Sequence, residues 1–586
     1  MAGPLGSNTP PSGDGNVNAS AGAGARALIV GLVEGGVKHL VLAPGSRSAP
    51  LVYAAVEAET RGQLTLTVRI DERVAAFTAL GIATATGTPA AVATTSGTAV
   101  ANLHPAVVEA SEARVPLVVV SADRPAELHG VGANQTTDQR RIFGAAPVWE
   151  RTLSAGLLSE PIKAAAVAAV NAACGKRSEV RGPAHINVQF REPLAPSSFT
   201  PGFSSASASP NLNLGLGVEA VNPEKQGPGQ LNLAQLNPVQ LESGPRTLVV
   251  AGFGAGPAAR ELAQAAGWPL LAEPASGSWG GPNLIPAGRL AAQILGSQVE
   301  RAIVFGRPVL SRPVVNLLQK PTVASVIVHP GGGQWFGLAA NVSRVVSAVV
   351  PPLEPDAQAK AWLENWLEVG HALWQNLVQQ PFPAPVLVAQ ALADVTAGGK
   401  PLVVGASSAI RDLDLVPSPS NPPAVFAMRG AAGIDGTISF AAGLNLGLDQ
   451  PGPVRVLLGD LTWAHDVGAL LVPTLERQPQ VQAVVLGDGG GGIFETLEPA
   501  TQVPPPVFER FFATPVQWDW QNLTAAYGVG FTAVSSEAEL RTVLADPPDG
   551  FSLVLVQLER GVRRGVEAKT VEFWGKGPVC PSRFPN

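Results

Sequence analysis

Two aspartates that follow short apolar runs are the residues in this chain best suited to bind a metal ion. Asp460 lies just beyond the run at residues 454–458, and Asp488 lies just beyond the run at 481–486. Such runs predict buried parallel strands, and open α/β sheets bind ligands at the carboxyl ends of their strands. A hard cation such as Mg²⁺ takes oxygen ligands and shares them with phosphate groups. We therefore predict a metal site between the ends of two strands.

Glycines after the second run extend this prediction to a phosphate group. Residues 489–492 are all glycine, which lets backbone N–H groups approach an anion closely, and a following helix N-terminus would favour the negative charge. Taken alone, such glycines are explained equally well by a tight turn that needs positive φ. Because the paired aspartates lie beside them, the stretch 454–494 predicts a metal–diphosphate site.

Bulk composition limits what the chain can be. Its 586 residues are enough for three domains, and 46% hydrophobic with only 14% charged residues predicts large buried cores or subunit interfaces. A net charge of −6 argues against nucleic acid or an anionic membrane as a partner. The two cysteines, Cys174 and Cys580, are typical of a reducing cytoplasm, where we expect the protein to be located. No apolar run reaches ~18 residues, so we expect no transmembrane helix.

The alternation of strand-like and helix-like segments predicts an α/β protein with three doubly wound parallel-sheet domains. Residues 27–34 predict the first helix, and residues 90–94 and 247–251 predict strands. The predicted divisions are a disordered tail at 1–25, a first domain at 26–195, a low-complexity linker at 196–243, a central domain at 244–350, a helical linker at 351–384 and a third domain at 385–586. We expect Trp362, Trp366 and Trp374 in the helical linker to pack on a neighbouring domain.

The glycines at 252–256 match part of a dinucleotide-binding loop. The third glycine spacing is missing, and no acidic residue ends the next predicted strand convincingly. A structural turn is therefore the better interpretation of this segment.

Eight segments, occurring in order, carry a resemblance to one enzyme family. They are 44–50 (PGSRSAP), 71–83 (DERVAAFTALGIA), 94–106, 121–128, 132–139, 428–439, 459–466 and 490–497. The set resembles the 2-succinyl-5-enolpyruvyl-6-hydroxy-3-cyclohexene-1-carboxylate synthases of menaquinone biosynthesis, closely in the outer domains and loosely in the central one. The resemblance implies a thiamine diphosphate-dependent transferase that decarboxylates 2-oxoglutarate and adds the resulting carbanion to isochorismate.

The resemblance also implies a role for each residue of the cofactor site. Glu72 matches the glutamate that protonates the aminopyrimidine ring, for which the alternative is a carboxylate that merely favours a helix start. Ile434 matches the bulky residue that bends the cofactor. The implied cofactor-binding set is Glu72, Ile434, Gly459, Asp460, Leu461, Asp488, Gly490, Gly491 and Ile493. The implied ligands of Mg²⁺ or Mn²⁺ are Asp460, Asp488 and the carbonyl of Gly490.

The chain departs from the family motif at an asparagine pair, which is replaced by Gly487 and Asp488. A second carboxylate ~5 Å from an anionic diphosphate, at an effective dielectric constant of ~20, adds a repulsion of roughly 3 kcal/mol before a metal offsets it. We therefore hypothesise that the chain depends strongly on divalent metal to hold its cofactor. Asp488→Asn should then tighten cofactor binding.

Two substrates that carry two carboxylates each require cations, and a planar guanidinium pairs bidentately with a carboxylate. A lone arginine is usually a solvated surface charge, but four arginines beside glycine-rich turns, in a chain with few charges, favour a substrate role. The implied substrate-binding set is Ser46, Arg47, Arg124, Gln135, Arg312, Ser407, Arg411, Arg429, Phe494 and Leu497. The implied catalytic set is Glu72, Arg47, Gln135, Ser407, Arg411 and Arg429. Ile493, Phe494 and Leu497 would form a dry wall against premature protonation.

The resemblance further implies that Glu72 and the diphosphate site belong to different subunits, so we expect a dimer or a tetramer. Two alternatives stay open. One is another thiamine diphosphate enzyme, similar to acetohydroxyacid synthases or 2-oxoacid decarboxylases, against which the arginine set argues. The other is a non-catalytic binding protein on the same fold, against which the intact Glu72 and Asp460 argue.

Overall fold

The computed structural model describes residues 20–196, 238–331, 335–353, 357–448 and 452–576. Three larger sheets, of six, five and six strands, are parallel throughout, with helices between the strands. The predicted class of three doubly wound α/β domains is therefore confirmed. Most of the predicted tail and most of the linker at 196–243 lie outside the described residues. No helix in the described ranges has both the length and the apolar character needed to cross a membrane.

The first domain contains a sheet in the order β2-β1-β3-β4-β6-β5. Its strands are β1 (His39–Leu42), β2 (Thr65–Val68), β3 (Ala90–Thr94), β4 (Leu117–Asp123), β5 (Trp149–Leu153) and β6 (Ala184–Gln189). Its helices are α1 (Ala21–Gly35), α2 (Ala49–Thr60), α3 (Glu72–Thr86), α4 (Thr98–Ala101), α5 (His104–Ala113) and α6 (Ser159–Ala173). The order reverses between β1 and β3, where the loops after both strands meet, and this is where such a sheet binds ligands.

The central domain has a five-stranded sheet in the order β12-β11-β10-β8-β9. Its strands are β7 (Val239–Gln240), β8 (Thr247–Ala251), β9 (Leu270–Ala272), β10 (Arg301–Phe305), β11 (Ala324–Val328), β12 (Val342–Val346) and β13 (Val349–Val350). Its helices are α7 (Ala258–Ala266), α8 (Gly288–Leu295) and α9 (Arg312–Leu318), and α10 (Ala357–Leu377) follows. Trp362 and Trp366 of α10 are buried, and Trp362 donates a hydrogen bond to the Thr247 carbonyl at 2.9 Å. The prediction that these tryptophans pack on a neighbouring domain is confirmed.

The third domain repeats the strand order of the first, as β15-β14-β16-β17-β19-β18. Its strands are β14 (Pro401–Val404), β15 (Ala424–Phe426), β16 (Val454–Gly459), β17 (Val481–Gly487), β18 (Gly530–Val534) and β19 (Phe551–Gln557). Its helices are α11 (Pro385–Val395), α12 (Ser408–Leu413), α13 (Thr437–Gly447), α14 (Asp460–His465), α15 (Pro499–Gln502), α16 (Pro505–Phe508), α17 (Trp520–Ala526), α18 (Glu537–Ala545) and α19 (Val566–Lys576).

Two predicted boundaries are wrong. Helix α1 starts at Ala21, inside the segment predicted as tail, because the Ser20 hydroxyl accepts a hydrogen bond from the Ala23 amide and caps the helix. At the other end of the first linker, β7 pairs with β13 in a small separate sheet, so residues 239–240 are a strand. The predicted strands at 90–94 and 247–251 are confirmed.

Helices α3 and α13 join the first domain to the third in one hydrophobic core. They cross at glycines: a Cβ on Gly81 would lie 2.1 Å from the Phe440 carbonyl oxygen, and a Cβ on Gly443 would lie 2.0 Å from the Thr78 carbonyl oxygen. Only glycine permits this approach of one backbone to the other. Since α3 begins at Glu72 and α13 follows Ile434, the crossing fixes the relative positions of these two residues within one chain.

The glycines at 252–256 have a structural use. A Cβ on Gly252 would lie 2.0 Å from the Pro308 nitrogen, and Gly254 has a φ of +81°. Gly252 thus serves close backbone packing and Gly254 a left-handed turn, which supports the structural-turn interpretation.

Glu273 gives the central domain a pH-dependent stability. It is buried and accepts a hydrogen bond from the Leu310 amide at 2.7 Å, and burial, with Asp414 nearby, raises its pKa to about 7. Because this pKa lies above the ordinary value of 4.5, the stability that the protonated form supplies is present below pH 4.5 and is lost as the pH rises through 7. Glu273→Gln should therefore raise the free energy of unfolding by about 3 kcal/mol at pH 8. Urea denaturation should show the gain shrinking toward pH 5.

Glu300→Gln is the matched control for this prediction. Glu300 belongs to the same domain but is half-exposed and pairs with Arg246 at 3.0 Å. Its replacement should change stability little. A gain for Glu273→Gln that did not vary with pH would contradict the prediction.

Candidate active site

Strands β16 and β17 bring the two predicted metal-binding aspartates to one edge of the third sheet. The strands pair in parallel with Gly459 opposite Leu486, so Asp460 and Asp488 follow neighbouring strand ends. Asp460 is also the first residue of α14, where a carboxylate is favoured by the helix dipole. The predicted juxtaposition of the two aspartates is present in the structure.

Within the described residues, Asp460 has a buried oxygen that makes no hydrogen bond of normal geometry, although the Gly489 and Gly490 amides lie close enough to lower the pKa of its carboxyl group. Its side chain is buried, Oδ1 accepts a hydrogen bond from the Leu461 amide at 2.7 Å, and the buried Oδ2 has no hydrogen-bond partner among the described residues. Burial and the nearby charge of Asp488 raise the pKa of Asp460 to about 6. A buried unpaired carboxylate oxygen is costly, and a cation would relieve that cost.

The glycine turn is shaped by a neighbouring backbone. Gly490 has a φ of +148°, and a Cβ there would lie 2.2 Å from the Ala513 carbonyl oxygen. The Gly491 amide donates to that same oxygen at 2.6 Å, at the end of a short π-helix, Glu509–Ala513. By contrast, a Cβ on Gly459 would meet nothing within 4 Å, so open space lies beside the start of α14. These glycines therefore have distinct uses, and the space at Gly459 has room for a bound group.

The residues present fit a metal-bound diphosphate. In the described part of the chain no three His, Cys, Asp or Glu side chains converge on one point, so a metal here would draw on two carboxylates and on other oxygen donors. The Gly490 carbonyl and diphosphate oxygens are suitable donors, since Mg²⁺ is commonly held by one or two carboxylates together with phosphates. The unsatisfied Oδ2 of Asp460 is the observation that favours this arrangement.

Arg563 is a residue of this site that the sequence did not reveal. Its guanidinium donates from Nη1 to Asp488 Oδ2 at 3.2 Å and from Nη2 to Asp412 Oδ2 at 2.8 Å. Burial raises the pKa of Asp488, and the charge of Arg563 opposes that shift. No pattern along the chain links residue 563 to residues 412 and 488, so only the fold identifies this contact.

Glu72 stands at the start of α3, where Asp71 caps the helix by accepting from the Arg73 and Val74 amides. Its side chain is half-buried, and its carboxylate receives no hydrogen bond from the described residues. The neighbouring Arg73 donates to the His465 carbonyl at 2.8 Å, which places this helix start near the carboxyl end of α14. The described contacts of a single chain do not bring Glu72 to Asp460 or Asp488.

Ile434 is half-buried in the loop before α13. Its carbonyl accepts a hydrogen bond from the Thr437 hydroxyl at 3.3 Å. Gly436 follows with a φ of +65°, and a Cβ there would lie 2.1 Å from the Phe77 ring. The loop is thus held against α3, and Ile434 has a defined position.

Arg47, Arg124 and Gln135 come together at the switch point of the first sheet. Arg124 donates to the Gln135 carbonyl at 2.7 Å and to the Ser96 hydroxyl. Burial lowers the pKa of Arg124, and the nearby positive charge of Arg47 lowers it further. Arg47 is buried and donates to the Phe190 carbonyl at 3.0 Å, while its Nε has no partner among the described residues. Arg47 also pairs with the exposed Glu192 at 3.7 Å, so an anion that binds between the two guanidinium groups would compete with this carboxylate.

Ser46, which belongs to the same predicted set, is exposed beside Arg47. Gln135 has a φ of +53°, and its side-chain amide donates to the Ser96 carbonyl at 2.8 Å. This strained backbone at a predicted substrate residue is typical of a functional loop.

A buried polar network supports this cluster, and sequence reasoning missed it. Asn187 donates to Asp123 Oδ2 at 2.9 Å, and Gln139 donates to Asn187 Oδ1 at 2.8 Å. Gln139 also accepts from the Gly97 amide at 2.9 Å, and Asp123 accepts from the Arg124 amide at 2.7 Å. All the network side chains are buried, so the loops that carry Arg124 and Gln135 are held from below.

A second group of predicted substrate residues lies in the third domain. Burial lowers the pKa of Arg411, and the positive charges of Arg289, Arg429 and Arg312 lower it further. Arg429 is buried and its Nε has no partner among the described residues. Ser407 caps α12 by accepting from the Ser408 amide at 2.6 Å. These cations form a second anion-favouring cluster.

Arg312 is the least constrained member of the predicted substrate set. Its side chain is 71% exposed and pairs with Glu498 at 2.5 Å. It lies near enough to Arg411 to influence it, but the structure gives it an acidic partner of its own.

Glu109 connects the first domain to the loop that carries Arg429. Its buried carboxylate accepts hydrogen bonds from the Gly430 amide at 2.8 Å and from the Ala431 amide at 2.7 Å. Burial raises the pKa of Glu109, and these hydrogen bonds oppose the rise. The contact joins residues far apart in the chain, and no sequence signal indicated it.

The residues of the predicted apolar wall directly follow the glycine turn, residues 489–492. Ile493, Phe494 and Leu497 are half-buried, and Phe494 packs edge-on against Phe512 with ring centroids 5.6 Å apart. The wall therefore rests on the same π-helix that shapes the turn.

Two α/β domains of identical strand order, joined through α3 and α13 and carrying a dicarboxylate–glycine turn, define the class of thiamine diphosphate-dependent enzymes. Residues 23–142 match the family model described as thiamine pyrophosphate enzyme, N-terminal TPP binding domain. Three relatives are named 2-succinyl-5-enolpyruvyl-6-hydroxy-3-cyclohexene-1-carboxylate synthase. They come from Renibacterium salmoninarum (40% identical, 92% of this chain and 95% of the relative), Kineococcus radiotolerans (44%, 93% and 97%) and an Arthrobacter species (42%, 94% and 92%). This chain belongs to the family of 2-succinyl-5-enolpyruvyl-6-hydroxy-3-cyclohexene-1-carboxylate synthases, which makes it a thiamine diphosphate-dependent transferase.

Proposed function

We propose that this enzyme decarboxylates 2-oxoglutarate and adds the resulting four-carbon unit to isochorismate in menaquinone biosynthesis. The observation that carries the proposal is the pair of guanidinium clusters, one around Arg47 and Arg124 and one around Arg411 and Arg429. Each cluster holds mutually repelling cations, which suits substrates with two carboxylates. A simple 2-oxoacid decarboxylase would need fewer cations, so these clusters disfavour that alternative.

In this proposal the bound cofactor supplies the carbanion chemistry, and the chain supplies binding, orientation and proton control. Asp460, Asp488 and the Gly490 carbonyl would hold Mg²⁺ or Mn²⁺ against the diphosphate. Glu72 would hold a proton toward the ring nitrogen of the aminopyrimidine, and Ile434 would support the bent cofactor. Phe494, Leu497 and Ile493 would exclude water from the reacting carbon.

We further propose that the active unit is a dimer or tetramer in the cytoplasm. In one chain the Glu72 carboxylate receives no hydrogen bond from the described residues, and its neighbour Arg73 binds the far end of α14 from Asp460. A second chain that presents its own Asp460 and Asp488 to Glu72 would complete the site. Sedimentation analysis of the protein, with and without cofactor, would test this assembly.

The reaction is tested by mixing the protein with thiamine diphosphate, Mg²⁺, 2-oxoglutarate and isochorismate. We expect 2-oxoglutarate to disappear only when isochorismate and metal are both present. Carboligation of pyruvate, without turnover of isochorismate, would instead favour an acetohydroxyacid-synthase-like enzyme. Absence of both reactions in protein that binds cofactor would favour a binding role.

Arg124→Met should raise the KM for at least one dianionic substrate by about 100-fold, because a bound substrate would bury its carboxylate against the Arg124 guanidinium and truncating one partner of such a buried pair costs several kcal/mol. The affinity for thiamine diphosphate should hardly change, since Arg124 is not among the residues proposed to hold the cofactor. Steady-state kinetics and calorimetric titration measure the two quantities. Arg140→Met is the control, because Arg140 lies in the same loop but is 70% exposed and pairs with Asp138. An unchanged KM for both substrates in Arg124→Met would remove Arg124 from the substrate site.

A further inference from the structure

The segment after β19, residues 559–565, contains three arginines that form ion pairs with acidic residues around the glycine turn at 489–492. The pairs are Arg560 with Glu509 at 2.6 Å, Arg563 with Asp488 at 3.2 Å, and Arg564 with Glu495. Glu509 begins the π-helix that shapes the turn, and Glu495 lies between Phe494 and Leu497 of the apolar wall. We call residues 559–565 the arginine segment.

Arg563 is the member of this segment that pairs with Asp488, one of the two aspartates proposed to hold the metal. Its side chain is only 13% exposed, and its partners Asp412 and Asp488 are 8% and 9% exposed. Nε donates to both oxygens of Asp412, at 3.1 and 3.2 Å, while Nη1 is directed to Asp488. One planar guanidinium thus bridges a helix that carries substrate residues, α12, and the turn that carries Asp488.

The bridge resolves a difficulty raised by the sequence. An aspartate at position 488 places a second negative charge beside an anionic diphosphate, and a buried carboxylate without a partner is strongly unfavourable. Arg563 cancels one of the two negative charges of Asp412 and Asp488, and it fixes the direction of the Asp488 carboxylate. It also holds α12, with Ser407 and Arg411, at a set distance from the turn.

We propose that Arg563 is a positioning residue that offsets the charge of Asp488, so that an aspartate can serve as metal ligand while the diphosphate still binds. The inference rests on the proposed function, in which Asp488 holds the metal. It also modifies the simple expectation for Asp488→Asn: with Arg563 present, much of the repulsion is already offset, and the tightening of cofactor binding should be small.

The test is a cycle of three variants, with thiamine diphosphate titrated by calorimetry at saturating Mg²⁺. Arg563→Gln should weaken binding by about tenfold or more, because the charge of Asp488 is then uncompensated. The double variant Asp488→Asn/Arg563→Gln restores the original local charge and should bind within about threefold of the unmodified protein. Arg563→Lys keeps the positive charge and should lose less than Arg563→Gln.

Arg560→Gln is the matched control, since it removes one arginine of the same segment that pairs with Glu509 instead. It should change cofactor affinity far less than Arg563→Gln. If Arg563→Gln leaves Asp412 unpaired and does not fold, Asp412→Asn is introduced into every member of the cycle, which removes the stranded charge without altering the comparison.

Two results would overturn the inference: full affinity in Arg563→Gln, or a double variant that binds as weakly as Arg563→Gln alone. The second would mean that Arg563 acts through the fold and not through Asp488. Failure of the proposed function gives a different result, because the unmodified protein would then bind thiamine diphosphate equally well with a chelator, or not at all.

Discussion

Replacing Glu72 by glutamine should lower turnover by about 10²- to 10⁴-fold, the range that a positioned acid or base contributes. Glutamine keeps the shape of the side chain but cannot share a proton with the aminopyrimidine ring. The carboxylate receives no hydrogen bond from the described residues, so little of the protein's own structure depends on its charge. Isochorismate-dependent loss of 2-oxoglutarate measures the rate, and calorimetry should show that the cofactor still binds.

A carboxylate that only favours the start of a helix would have little effect on turnover when replaced, and Glu160→Gln is the control for that role. Glu160 lies in the first turn of α6, as Glu72 lies in the first turn of α3, but it is exposed and pairs with Lys163 at 3.5 Å. A helix-dipole contribution of ~0.5 kcal/mol is all that either residue would lose if that were its role. Turnover of Glu72→Gln close to that of Glu160→Gln would reduce Glu72 to a helix-start residue.

Asp460→Asn should weaken thiamine diphosphate binding by about 100-fold or more, since losing even an outer partner of a metal ligand costs 10–100-fold. The same change should stabilise the cofactor-free protein at neutral pH. The pKa of Asp460, about 6, lies above the ordinary 3.8, so stability from its protonated form is present below pH 3.8 and lost as the pH rises through 6. The asparagine side chain does not ionise, so the variant does not lose this stability as the pH rises. At pH 7.5, a lower cofactor affinity together with a higher unfolding temperature of the cofactor-free protein would identify Asp460 as a ligand.

Asp466→Asn is a close control for Asp460→Asn. Asp466 is fully buried just beyond α14, and burial raises its pKa to about 6 as well, but it accepts hydrogen bonds from the Ser439 amide and hydroxyl. Its replacement should leave metal-dependent cofactor binding in place. If Asp460→Asn bound the cofactor with unchanged metal dependence, the metal assignment would be wrong.

The sequence indicated the parts of the site that obey a local rule. Apolar runs that end in Asp460 and Asp488 predicted neighbouring strand ends, because parallel strands of one sheet finish at the same edge. The arginines of the substrate set were implied by the family resemblance, and their positions beside glycine-rich turns agreed with it. Glu109, Asn187 and Arg563 were not, because each acts through partners in distant parts of the chain and none lies in a periodic pattern.

The errors at element boundaries have physical causes too. The start of α1 is made of alanine and glycine, which show no amphipathic period, so its helical character was hidden. The two-residue strand β7 exists only because β13, more than a hundred residues later, pairs with it. Neither could be recognised without the rest of the fold.

The glycine crossing of α3 and α13 has a consequence for how the chain is made. Thr86 ends one helix and Thr437 begins the other, so synthesis at ~5–20 residues per second separates them by some tens of seconds. During that interval the newly emerged amino-terminal domain carries an apolar helix with its eventual neighbour still untranslated. Chaperone demand should therefore peak early, and an amino-terminal fragment expressed alone should aggregate.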